Sequence, residues 1–185
     1  MTTKTRSSWW GPGLLLFYGF SSVLFGALQI GNIQSGPPAE PNDTMHYFEM
    51  PIPIMIHIVS GMLFSLLGPL QFAPVIRQRW PRWHRMMGTL LLVSGLGVAG
   101  SAIWMNEVFP EFGGLLKYTG VLFGSVLLVF AEFQAIRFIV ARNIASHRAW
   151  MMRALAMVFG PATQRFIIIP YFVLVGMPSE LFIGF

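Results

Sequence analysis

Four histidines and one deeply placed arginine are the side chains of this sequence best equipped for chemistry. His84 and His147 each stand where an apolar stretch begins, each is followed by an arginine (Arg85, Arg148), and each precedes a Met-Met pair. A six-coordinate haem requires two imidazoles at one depth, facing each other across a gap, with cations near enough to hold the propionates. His84 with His147 meets the depth condition at one mouth of the apolar segments, and His46 with His57 meets it at the other. The two levels lie roughly 30 Å apart by helix rise. Two haem b groups so placed would carry electrons across a bilayer, with a quinone as partner. The plainer account of the inner pair is that His-Arg at a helix mouth anchors the chain to lipid phosphates.

Arg165 is the costliest residue. It keeps its charge, lies near the middle of an apolar stretch beside Gln164, and follows Pro161 by four positions, so it must find an anion or free carbonyls. It could bond carbonyls released by Pro161, or Gln29 or Asn106. Alternatively it forms an anion site with His57 on the opposing wall, fit for a haem propionate or a substrate carboxylate. Glu132 and Gln134 fall in the inner third of their segment, and Gln71 near the inner end of its own. For Glu132 an ion pair with Arg148 or Arg153 is the expected role. Zinc or copper needs more ligands than these positions supply.

The elements that must position these groups are membrane helices. Apolar residues make up 55% of the chain and charged ones 10%, too few to cover a soluble surface. A span needs about 20 mostly apolar residues. Five stretches qualify, at about 14–31, 52–76, 87–106, 115–138 and 150–176, separated by Gly36-Pro37-Pro38 with Pro41, by Pro81, by Pro110 with Gly113-Gly114 and by Arg142-Asn143, with Pro178 after the last. With the N-terminus inside, Lys4, Arg6, Arg77, Arg79, Arg82, Arg85, Arg137, Arg142, Arg148 and Arg153 are all cytoplasmic, while Glu40, Asp43, Glu49, Glu107, Glu111 and Glu180 are outside. That asymmetry is the positive-inside pattern of a multi-pass protein, here of a bacterial inner membrane. It also gives the net charge of +5 a topological meaning in place of nucleic-acid binding. Trp9, Trp10, Trp80, Trp83 and Trp150 suit an interfacial belt.

The expected fold is therefore an all-α, polytopic helix bundle in one transmembrane domain, five spans with a cytoplasmic N-terminus. A four-helix alternative follows if the first basic-then-apolar run is a removed signal peptide, but that run is longer than a signal core and lacks a small-x-small site. The two His-Arg segments suggest that spans two to three and four to five are copies of one hairpin. Gly95, Gly97 and Gly100, with Ser94 and Ser101, read as a close-packing face. The absence of cysteine excludes disulfides, thioether haem and iron–sulfur clusters. No phosphate loop, HExxH or G-x-S-x-G occurs, and Asn42-Asp43-Thr44 matches the glycosylation pattern only as a common tripeptide.

Two blocks carry a resemblance. The first is His57-x-x-x-Gly61, Gly68-Pro69-Leu70-Gln71-Phe72, Arg77, Arg79, Pro81 and His84-Arg85-x-x-Gly88. The second is His147-Arg148-x-Trp150-Met151-x-Arg153, followed by Arg165. Over roughly residues 50 to 170 these resemble a bacterial membrane family known as domain of unknown function 2306. The resemblance implies a small multi-helix membrane protein with His57, His84, His147 and Arg165 at the family's polar positions, and it implies no activity. From the residues, the leading expectation is a haem b-binding redox protein using His84, His147, Arg85, Arg148, His57 and Arg165. Transport or small-anion binding at Arg165, and an accessory subunit role beside a partner membrane protein, are the rivals.

Overall fold

The computed structural model describes residues 10–38, 45–109 and 114–175. Expectations resting on Lys4, Arg6, Trp9, Glu40, Pro41, Asn42-Asp43-Thr44, Pro110, Glu111, Gly113, Gly176, Pro178 and Glu180 fall outside the described residues. Among those described, the ordered elements are all α-helices: α1 (Trp10–Gln34), α2 (Met45–Glu49), α3 (Pro51–Gln71), α4 (Pro74–Arg79), α5 (Pro81–Val108), α6 (Gly114–Val140), α7 (Ile144–Val158) and α8 (Gly160–Val175). Five segments are long and apolar enough to cross a membrane: α1, α3, α5, α6, and α7 with α8 as one run, Ile144–Val175. A span keeps every backbone group bonded within itself, which is why lipid selects helices here.

The boundaries depart from the sequence expectation where proline and interfacial charge act. The stretch expected at 52–76 breaks after Gln71, and Ala73 is extended (φ −71°, ψ 118°) immediately before Pro74, because a residue preceding proline is pushed out of the helical region. A short basic helix, α4, replaces the end of that span. α5 begins at Pro81 and not at Met87, and the last span begins at Ile144 and not at Trp150. Helical hydrogen bonding continues past the apolar core wherever long basic side chains can reach the interface. At the α6–α7 turn Arg142 is left-handed (φ 57°), and the Asn143 side chain caps α7 by accepting from the Ser146 N–H at 3.0 Å.

Packing is sequential: α1 lies along α3, α3 along α5, α5 along α6, and α6 along α7, with α7 returning to touch α3 and α8 touching α1. Phe64, Leu91, Ala99, Leu128, Ala131, Ala154 and Leu155 form the buried centre. Small residues set the helix spacing, as membrane interfaces require. A Cβ at Gly19 would run into the Ser65 carbonyl of α3, and one at Gly68 would meet Leu155 at 2.8 Å. The expected single glycine face on α5 divides in two. Gly95 admits Glu132 of α6, Gly97 admits Ser60 of α3, and Gly100 has no neighbour within 4 Å.

Candidate functional site

His84 opens α5 and His147 opens α7, and the two rings are near enough to interact electrostatically, with Arg77 and Arg85 also acting on His84. The His147 Nδ1–H donates to the Ala135 carbonyl of α6 at 2.9 Å. A carbonyl only accepts, so the proton sits on Nδ1 and the Nε2 lone pair is left available, the arrangement usual for a metal-ligating imidazole. Nδ1 of His84 is buried and has no partner. Arg85 and Arg148 are exposed, whereas Arg77, on α4, is half-buried. In the sequence Arg77 marks only topology and the family resemblance. Its place beside His84 depends on the α3–α4 break, which nothing but the Ala73-Pro74 pair announces.

Gln71 ends α3 at the arginine-rich side, whereas Glu132 faces Gly95 midway along α5. Both polar atoms of the Gln71 amide are buried and unbonded, as are both carboxylate oxygens of Glu132, which is 2% exposed. The ion pair expected for Glu132 does not form. Arg153 instead lies over the Trp150 ring, 4.5 Å from its centroid, and Arg148 points outward. The reason is helical phase: Ala154 and Leu155 take the buried face of α7, which turns the neighbouring Arg153 to its surface. The carboxylate turns toward α5, into the space that Gly95 leaves.

His57 and Arg165 are placed apart. His57 Nδ1 lies 3.2 Å from the Val98 carbonyl and 3.1 Å from Ser101 Oγ, which holds the ring against α5. Val98 is fourteen residues beyond His84, so His57 stands about 21 Å above the inner histidines by helix rise. The Arg165 guanidinium lies 4.7 Å from the centroid of Phe25 on α1. It borders a crevice of about 220 Å³ with Ser21, Phe25, Phe166, Ile169 and Pro170. His57 does not line that crevice, and of the partners considered for Arg165, Asn106 is bonded elsewhere, to the Tyr118 carbonyl at 3.2 Å. At the acidic end His46 packs its ring 4.5 Å from Phe109 and 4.0 Å from Tyr47. Burial pushes the Tyr47 hydroxyl above the usual tyrosine value.

The arrangement offers two imidazoles and two arginines within electrostatic reach of one another, a buried acid further in, and a separate cation over an aromatic ring. Among the described residues no group of three metal-ligating side chains occurs, so any metal here needs further donors of its own, as the iron of a porphyrin has. Neither a curated protein nor a solved structure matches the chain. A family model described as a predicted membrane protein (DUF2306) matches residues 54–183, taking in α3 after its first turn and all of α4 to α8 while leaving out α1 and α2. That span exceeds half of the 185 residues and holds the inner histidines, Glu132 and Arg165, so the chain belongs to this family of membrane proteins.

Proposed function

We propose that the protein is a small redox protein of the bacterial inner membrane that holds haem b at its arginine-rich end. His84 and His147 would hold the iron, and Arg77 and Arg85 would supply cations for the propionates. The observation that carries this reading is that two imidazoles near the starts of different helices act on each other electrostatically, one of them with Nδ1 already committed to a backbone carbonyl. The group would supply one-electron chemistry. The chain's part would be to fix the rings and balance the propionate charge. Membrane quinones are the partner class within reach at that depth. After haem-replete expression in mild detergent, the reduced-minus-oxidised spectrum should show a haem b band, and His84→Ala with His147→Ala should remove it. A wild-type protein without the band ends the proposal.

A second reading rests on the Arg165 crevice, where one cation faces an apolar space opened between α1 and α8. It is a small-anion site, of use in transport. Carboxylate ligands should then raise the melting temperature of the wild type and leave Arg165→Ala unchanged. Equal shifts in both proteins would remove this reading.

A further inference from the structure

Glu132 has no part in either reading, yet its setting is the least ordinary in the bundle. On α5, Leu91, Gly95 and Ala99 form one buried stripe, and on α6 Leu128, Ala131 and Ala135 line the facing side. The Glu132 carboxylate fills the gap at Gly95 with both oxygens buried and unbonded; the seam is otherwise apolar save for the buried hydroxyls of Ser94, which donates to the Leu90 carbonyl, and Ser125. An ionised carboxylate there has given up its hydration and gained neither a cation nor a donor in return. A protonated one gives up far less.

No neighbouring charge offsets this. On α5, Arg85 and His84 precede Gly95 by ten and eleven residues and Glu107 follows it by twelve, which is about 15–18 Å by helix rise. On α7, Arg148 is exposed, Arg153 lies over Trp150, and His147 is bonded to the Ala135 carbonyl. On α6 itself Arg137 is exposed, 3.4 Å from Gln134, and Lys117 lies fifteen residues away. α3 carries no acid, lysine or arginine, and its His57 is held by Val98 and Ser101 of α5. A metal cation would need several oxygen ligands at one point, and none of the described residues supplies such a group.

We propose that Glu132 is a proton-loading site in the membrane interior, neutral when loaded in the Gly95 notch. Releasing the proton leaves a bare charge in the α5–α6 seam, which the bundle must answer by admitting water or by moving one helix against the other. The site therefore ties proton occupancy to the packing of these two helices, whether or not a haem is bound below it.

Infrared difference spectra of the full chain in lipid nanodiscs, cycled in pH, test this. The expected result is a carboxylic-acid C=O band that converts to carboxylate at high pH, disappears in Glu132→Gln, and persists in Glu49→Gln and Glu107→Gln. A band that survives Glu132→Gln overturns the proposal. So does a wild-type cycle with no carboxylic band that moves on 13C-glutamate labelling, a measurement that requires no variant to fold. Gly95→Ala should shift the band, because its methyl takes the place of the carboxyl, and an unshifted band contradicts the notch. Protein that shows this carboxylic band but no haem b spectrum after haem-replete expression would remove the haem reading while leaving this one standing.

Discussion

The arginine-rich end and the Arg165 crevice both bring polar groups into the bilayer, and they settle them in opposite ways. In the crevice a single cation lies over Phe25 and faces an open apolar space. Between the middle of the bundle and its arginine-rich end, Ser65, Gln71, His84 and Glu132 all carry buried polar atoms with no partner. Native structures leave few such atoms unsatisfied, and several of them in one bundle cost stability that a purely structural region would not forgo. The comparison separates a residue accommodated by its surroundings from residues kept in spite of theirs, and the second pattern is the usual mark of function.

Four substitutions can break or sharpen that contrast. The largest effect is expected at Gly19, where any side chain meets the Ser65 backbone carbonyl. Gly19→Leu should cost about 3 kcal/mol in thermal unfolding in detergent and disturb the crevice by displacing α1, while leaving spectra reporting on His84 and His147 unaltered. Loss of both together would show that the two regions are one unit. Next is Glu132→Met, which removes two unsatisfied oxygens at similar volume and should raise stability by about 1–3 kcal/mol; a fall would mean that the acid is bonded after all. The matched change in the crevice, Arg165→Met, should go the other way by about 1 kcal/mol as the contact with Phe25 is lost. A gain there would place Arg165 in the same class as Glu132. The smallest is Arg142→Gly at the α6–α7 turn, where the left-handed backbone favours glycine. It should stabilise by roughly 0.5–1 kcal/mol without touching either site.

The five spans were legible because lipid imposes one demand, an apolar length, that composition displays directly. The place of His84 and His147 near helix starts was legible too, each lying three residues into its helix. What escaped was rotation about the helix axes. Arg153 and Glu132 share a depth, yet the burial of Ala154 and Leu155 turns the arginine onto Trp150. His57 and Arg165 looked like opposing walls, but one is tied to Val98 and Ser101 while the other is drawn to α1. Gly95 and Gly97 read as one face although they are about 200° apart around the helix. Arg77 reached His84 only through the bend at Ala73-Pro74, a local event that an apolar count runs straight across.

Those paired clearances on α5 have a mechanical consequence. The notch at Gly95 is filled from α6 and the one at Gly97 from α3, so sliding α5 along its axis would jam against both neighbours in the same step. Three consecutive spans are thereby keyed into a block that resists shear. Motion inside the block must therefore part a seam sideways and not slide along it, and outside the block the last span is interrupted at Phe159, where α7 gives way to α8 just ahead of Pro161.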